Sequence, residues 1–297
     1  MPRGQPFTAL CQQAARLAGG VVADLHTHTT ASDGEYTSSQ VVTVAARARL
    51  RAVAITDHDT TAGIEAAVVA ARAMGSAAPQ VVPGVELTAE WEGRELHLLG
   101  LWVHPDDPVL KAALADICER RCNRFREYIS QLMRTGVSLP NGAVETVEAG
   151  ARSLGRRHVA GLLLRAGVVR NRFEAFARFL NPLAGSVPSV HRTPFAEAVC
   201  LIHAAGGLSV LAHPPAELSE STLIELKSLG LDGLEAIYPA AGVGQSALVR
   251  ELADRLKLLV TGGSDCHGPD PPGRGIGSRG LGRADWDALA GLVRSGR

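Results

Sequence analysis

Long apolar runs, an excess of either charge, paired cysteines and aromatic platforms are all missing from this chain. Its 297 residues include 30 basic and 30 acidic side chains, so the formal net charge is zero. That balance argues against a protein built mainly to coat nucleic acid, while leaving room for a local basic groove. Aromatics make up only 4% of the residues, too few for the stacking surfaces of a dedicated RNA-binding protein. The five cysteines (Cys11, Cys118, Cys122, Cys200 and Cys266) are odd in number and match no disulfide framework. Cys118 and Cys122 fall four apart on an expected helix, but no second cysteine pair completes a zinc site. A reducing, cytoplasmic setting is the expectation. No stretch of about 18 apolar residues is present to span a membrane. Gln12 and Gln13 interrupt the apolar residues near the N-terminus, so a signal peptide is not expected there, and residues 7–17 read as a short surface helix.

What is present is enough apolar material, 46%, for a large core, and a length that suits one α/β domain carrying an insert. The organising stretch is Asp24-Leu25-His26-Thr27-His28, followed by Ser32-Asp33-Gly34. Val21, Val22 and Ala23 lead in as a buried strand, and residues two apart on a strand share a side. His26 and His28 therefore aim two imidazoles at one point, half of a metal site, and Asp33 can add a carboxylate oxygen.

Similar polar tips recur after strand-like runs. Residues 52–55 form an apolar strand ending in Thr56-Asp57-His58-Asp59, after a helix capped by Ser38 or Ser39 and reaching about Arg49. A helix over 64–74 follows. A strand at 81–82 leads to Glu86, and after a polar turn over 90–94 a strand over 95–103 carries His97. Residues 208–212 end in His213, residues 233–237 form another strand, and residues 258–261 run into Asp265-Cys266-His267. A closing helix is expected over 284–293. Strand, polar tip, helix is the rhythm of parallel α/β construction, in which catalytic groups gather at the C-terminal strand ends. Between 104 and 190 the rhythm is helical, with helices expected over 111–135, 159–166 and 172–180.

Six of the ten histidines thus sit at or beside strands, accompanied by Asp33, Glu86 and Asp265. Nine nitrogen and oxygen ligands without a thiolate favour two or three Mn, Zn or Fe ions and do not distinguish among the three; Mn is the expectation carried forward. A structural zinc site needs only four ligands, so the surplus points to catalysis, and paired metals suit an in-line phosphoryl displacement.

These stretches, with Gly84-Val85-Glu86, Leu211-Ala212-His213-Pro214 and Gly263-Ser264-Asp265-Cys266-His267, resemble the PHP (polymerase and histidinol phosphatase) superfamily. The resemblance implies a distorted (β/α)7 barrel with a helical insertion domain and a trinuclear centre. It implies an N-terminal extension over 1–20, a barrel from 21–103 and 191–297, and an insert over 104–190 covering the active site. One ion takes His26, His28, Glu86 and Asp265; a second shares Glu86 and adds His97 and His213; a third takes Asp33, His58 and His267. Asp24 and Asp57 either orient imidazoles or make strand-end hydrogen bonds.

Gly155-Arg156-Arg157-His158 and the run Ile202-His203-Ala204-Ala205-Gly206-Gly207 resemble one branch, that of nucleoside 3′,5′-bisphosphate phosphatases and related 5′→3′ exoribonucleases. That branch usually has proline where this chain has Arg157. The implied activity is removal of the 3′-phosphate of nucleoside 3′,5′-bisphosphates, or release of 5′-mononucleotides from short RNA. Arg156, His158 and Asp57 form the expected catalytic group, and Arg156, His158, His191 and Arg124 the substrate-binding group. His104 and His203 read as structural, as do Asp232 and Glu235. The rivals are hydrolysis of histidinol phosphate or another small phosphomonoester, and a metal-stabilised binding module without turnover. The expected partner is a nucleotide or short RNA, not a membrane, and oligomeric state leaves no mark.

Overall fold

The computed structural model describes residues 20–187, 192–268 and 273–295. The helix expected over 7–17 lies outside the described residues, as does His191. Seven strands follow one another around a nearly closed barrel: β1 (Ala23–Asp24), β2 (Ala52–Ile55), β3 (Gln80–Trp91), β4 (Arg94–Leu101), then β6 (Leu208–Leu211), β7 (Gly233–Ile237) and β8 (Leu259–Gly262). A short strand, β5 (Thr193–Pro194), pairs with β3 off this path. Closure comes beyond β1 and β8, where Leu25 N–H donates to Gly262 O at 3.1 Å and His28 N–H to Cys266 O at 2.9 Å.

The strand chemistry explains the barrel. All four residues of β2 and all four of β6 are buried, as strands covered on both faces require. Alternation sorts them: Ala52 and Ala54 join the inner cluster with Leu25, Val82, Leu99, Leu101 and Val210, while Val53 and Ile55 pack outward. The outward layer on that side is α1 (Ser38–Arg47) and α2 (Ile64–Met74). Across the barrel, α7 (Phe195–Ala204), α8 (Glu220–Ser228) and α9 (Val243–Leu256) cover β3, β4, β6 and β7. The closing helix α10 (Arg283–Arg294) adds Trp286, Leu289 and Ala290 to the inner cluster. The cap of α1 is Thr37, one residue before the expected serines: Thr37 and Gln40 bond each other's backbone N–H groups.

The parallel rhythm breaks once. β3 and β4 are antiparallel neighbours over eight residue pairs, joined through Glu92 and Gly93, both at positive φ (49° and 75°). Two successive left-handed residues make the tight hairpin turn that matches strand twist. β3 is accordingly far longer than expected. The hairpin carries His97 back to the end of the barrel where the parallel strands finish.

Residues 108–183 contain helices and no strand. These are α3 (Pro108–Arg134), α4 (Ala143–Gly150), which sequence patterning missed, α5 (Arg156–Arg165), and α6. The last starts at Arg172–Ala175, widens through a π-turn at Phe176–Leu180 and ends at Asn181–Leu183. This stretch has its own apolar cluster, built on Phe125, Tyr128, Leu132, Val159, Leu162 and Leu180. No described helix is long and apolar enough to cross a membrane.

Candidate metal centre

Glu86 stands at the middle of the strand ends with 1% of its surface exposed. Its Oε2 lies 3.3 Å from His26 Nε2, 3.2 Å from His28 Nε2 and 3.0 Å from His58 Nδ1; its Oε1 lies 2.8 Å from His97 Nδ1 and 3.2 Å from His213 Nε2. Asp265 Oδ1 approaches His26 and His28 at 3.6 and 3.3 Å, and His267 Nδ1 at 3.4 Å. Asp33 Oδ1 approaches His267 Nε2 at 3.3 Å, and His28 and His58 at 4.0 Å. All nine side chains expected as ligands are therefore brought together.

Donor atoms within 4.8 Å of one another fall into three sets: His28, Asp33, His58 and His267; His26, His28 and Asp265; and His58, Glu86 and His97. This grouping differs from the expected one in letting His28 and His58 each serve two sets, with His213 reaching the cluster through Glu86. The fit to metal rests on the buried atoms themselves. His26 Nε2, both nitrogens of His28, Asp33 Oδ1, His58 Nδ1, Glu86 Oε2 and His267 Nε2 are buried and make no hydrogen bond. They approach one another at ion-pair distance without hydrogen-bond alignment, which suits lone pairs converging on cations and is costly otherwise.

Electrostatics shows the same demand. Burial pushes the carboxyl of Glu86 up, but His58, His26 and His97 override it and hold it well below the carboxylate range. Asp33 behaves alike: burial opposes ionisation, and His267 and His58 outweigh it. Burial pushes the His28 imidazole down, yet the adjacent carboxylates of Asp265 and Glu86 raise it to about 9. For His97 the charge of Glu86 likewise outweighs burial and lifts it to about 10. His58 is pushed well below its usual value, chiefly by burial. The carboxylates, in other words, recruit positive charge into a buried site.

The backbone is bent to serve the cluster. His213 and Asp265 adopt φ of 30° and 48°, sparsely populated for side chains with a Cβ and costing roughly 1–3 kcal/mol each. Gly263 is needed for a different reason: a Cβ there would stand 2.3 Å from that of His26.

Glu235, read from sequence as structural, is the carboxylate that orients the centre. Its Oε1 is 3.1 Å from His26 Nδ1, and its Oε2 accepts the His213 backbone N–H at 2.7 Å. The signal was a charged residue inside the apolar strand Gly233–Ile237. Asp24 and Asp57 instead make strand-end hydrogen bonds, so the imidazole-orienting alternative does not apply. Asp24 accepts backbone N–H groups of Ser264 and Gly277 at 2.9 and 2.8 Å, and burial outweighs these bonds to lift its carboxyl to about 6. Asp57 accepts from Thr29 N–H and Oγ1 and from Ser32 Oγ at 2.6–2.7 Å. Fully buried with both oxygens occupied, Asp57 holds the turn after β1.

His158 bridges the same turn to the helical stretch. Its Nδ1 accepts the Gly155 N–H at 3.0 Å and its Nε2 donates to Ser32 O at 2.9 Å. Both ring nitrogens engage backbone, so the side chain ties α5 to the turn after β1, and burial lowers its pKa.

A cavity of about 220 Å³ adjoins the cluster. Asp33, His58, Glu95 and His97 line it, together with five arginines: Arg121, Arg124, Arg156, Arg157 and Arg192. Arg121 is committed to Asp59 at 2.6 Å and to Leu154 O at 2.8 Å, and Arg192 to Glu95 at 2.9 Å. Glu95, which sequence reasoning passed over, is held at about 2 by hydrogen bonding to His97, which outweighs burial. Arg124 lies over Tyr128 at 5.7 Å and Arg156 over Phe176 at 5.6 Å; neither forms a salt bridge within 4.0 Å among the described residues, although the charge of Arg156 reaches Glu95.

Residues 24–145 match the PHP domain. The chain is 31% identical over 263 residues to the 3′,5′-nucleoside bisphosphate phosphatase of Chromobacterium violaceum, covering 86% of this chain and 90% of that one. It is 34% identical over 258 residues to the 5′-3′ exoribonuclease Rnm of Salmonella typhimurium, covering 84% and 87%. It is 33% identical over 251 residues to the phosphoribosyl 1,2-cyclic phosphate 1,2-diphosphodiesterase of Eggerthella lenta, covering 84% and 95%. A solved structure from Bifidobacterium adolescentis, assigned as a metal-dependent phosphoesterase, superimposes with a TM-score of 0.80 at 31% identity over 90% of this chain and 94% of that one.

Proposed function

The chain belongs to the PHP-domain family of phosphoester hydrolases, and we propose that its substrate is a nucleoside 3′,5′-bisphosphate or the 5′ end of a short RNA. The observation that carries this reading is the pair Arg124 and Arg156. Both line the cavity beside the cluster, each steadied over an aromatic ring and outside any salt bridge among the described residues. A guanidinium in that state suits a second phosphate, because its planar fork binds phosphate through two charge-assisted hydrogen bonds. A monoester with no second anionic group would leave both idle.

Under this reading His26, His28, Asp33, His58, Glu86, His97, His213, Asp265 and His267 hold the metal ions, with Mn favoured. Bound there, divalent ions would supply Lewis acidity towards phosphoryl oxygens and make water a competent nucleophile near neutral pH. The chain's own part is preorganisation. Glu235 fixes the ring of His26 and the backbone of His213. Glu95 holds Arg192 and the outer nitrogen of His97, 3.5 Å away. Arg156 and Arg124 set the substrate by its far phosphate, so that binding energy remote from the reacting bond fixes orientation. Asp57 and His158 act by positioning the turn that carries Asp33. The working division is an extension over 1–20, a barrel over 21–103 and 191–297, and a helical insert over 104–190 that forms the cavity's arginine wall.

The test compares adenosine 3′,5′-bisphosphate, 5′-AMP, histidinol phosphate and a cyclic phosphodiester with Mn-loaded protein, using Asp265→Ala as the blank. The expected result is release of the 3′-phosphate with 5′-AMP left intact, and a loss of about tenfold or more in kcat/KM for Arg156→Ala only when a 5′-phosphate is present. Preference for histidinol phosphate or the cyclic diester would overturn the assignment.

A further inference from the structure

We infer that Arg157 is an anion anchor at the metal-side wall of the cavity, donating its terminal N–H groups to the phosphoryl group on which the enzyme acts. The inference rests on the phosphoesterase reading and extends it to a residue outside the expected site.

Arg157 is the second residue of α5, and its side chain lines the same cavity as Asp33 and His58. Its Nε lies 3.5 Å from Asp33 Oδ2. That nitrogen is buried and makes no hydrogen bond. The opposite oxygen of the same carboxylate, Oδ1, faces His267, His58 and His28. Asp33 is thus shared between the histidine cluster on one side and a guanidinium on the other.

Of the five cavity arginines, Arg157 alone touches a side chain of the proposed metal cluster. Arg121 and Arg192 are spent on Asp59 and Glu95, and Arg124 and Arg156 lie over rings. A guanidinium carries five N–H donors. Contact with Asp33 engages only Nε, and among the described residues Arg157 makes no other ion pair or hydrogen bond. If Arg157 served merely as a countercharge for Asp33, it would hydrogen-bond the carboxylate rather than sit at 3.5 Å without alignment. Its four terminal N–H groups belong to a side chain that lines the cavity together with Asp33, His58 and His97. A fixed guanidinium there stabilises charge building on phosphoryl oxygens without reorganising.

The test titrates inorganic phosphate into Mn-loaded wild-type, Arg157→Ala and Arg157→Lys proteins by calorimetry. Bound metal per chain and hydrolysis of adenosine 3′,5′-bisphosphate are measured on the same preparations. The expected result is phosphate affinity weakened about tenfold or more in Arg157→Ala, with partial recovery in Arg157→Lys and metal content unchanged. Unchanged phosphate affinity in Arg157→Ala, an undetectable phosphate isotherm in the wild type, or a loss of bound metal in the variants would overturn the anchor. The two readings separate cleanly. If phosphate binding depends on Arg157 while the wild type leaves the bisphosphate intact, the substrate assignment falls and the anchor stands. Bisphosphate hydrolysis with phosphate affinity independent of Arg157 gives the reverse.

Discussion

Glu235 is a fully buried negative charge inside an otherwise apolar strand, and both its oxygens are used on the centre. A carboxylate that hydrogen-bonds the far nitrogen of a ligating imidazole fixes its tautomer and raises its basicity. Glu235→Gln should therefore weaken Mn affinity by about 10–100-fold, read by chelator competition, while the far-ultraviolet spectrum stays native. Unaltered affinity would show that His26 is not a ligand or is held by other means. Proton linkage gives a second expectation at this scale. Without metal, His28 and His97 keep their protons up to about 9 and about 10. In the unfolded chain they titrate near about 6.5. Groups raised on folding stabilise the fold fully below the unfolded value, and that gain is lost as pH rises through the folded values. Metal needs the same nitrogens free and so displaces protons. Stability of the metal-free protein should fall between about pH 7 and about pH 10, and the increase in Tm given by saturating Mn should grow over the same window as the competing protons leave. A Tm increment independent of pH would contradict imidazole ligation.

At the scale of elements, the turns after β1 and β2 carry His26, His28, Asp33 and His58, and α3 reaches them through the ion pair of Arg121 with Asp59. Asp59 is fully buried at φ 51°, and its Oδ2 accepts from Arg121. Arg121→Met leaves that charge unpaired and should destabilise the protein by about 3–5 kcal/mol in denaturant titration. A loss under about 1 kcal/mol would show that the pair is solvated. The parallel strand ends were legible because each is an apolar run closing on a polar tip, so His26, His28, His58, His213 and His267 could be placed from order alone. The turn over 90–94 and the strand carrying His97 were legible as well, but the length of β3 and its antiparallel pairing with β4 were not, since burial on both faces blurs the alternation. Glu235 escaped because a charge in a short strand reads equally as an exposed edge. The hydrogen-bond partners of Asp57 and His158, namely Thr29, Ser32 and Gly155, were not legible because they are set by how turns pack, which local pattern does not encode.

Across the whole molecule, the helical stretch is tied to the barrel at the same turns that carry Asp33 and His58. His158 bonds Ser32 O, the backbone N–H groups of Arg152 and Ser153 donate to Ala31 O at 2.9 and 3.2 Å, and Arg172 pairs with Glu35. The arginine wall of the cavity is thereby held in register with the cluster. His158→Ala should accordingly raise KM more than it lowers kcat and leave both limbs of the pH profile in place; loss of a limb would make His158 a titrating participant instead. The account as a whole stands on the strand ends forming a multinuclear metal centre. Crystals grown with Mn and measured at its absorption edge test that most directly. Two or three anomalous peaks, bounded by the sets around Asp33, Asp265 and Glu86, are the predicted result. A map with no peak among these nine side chains, at full Mn occupancy elsewhere or none, would contradict it.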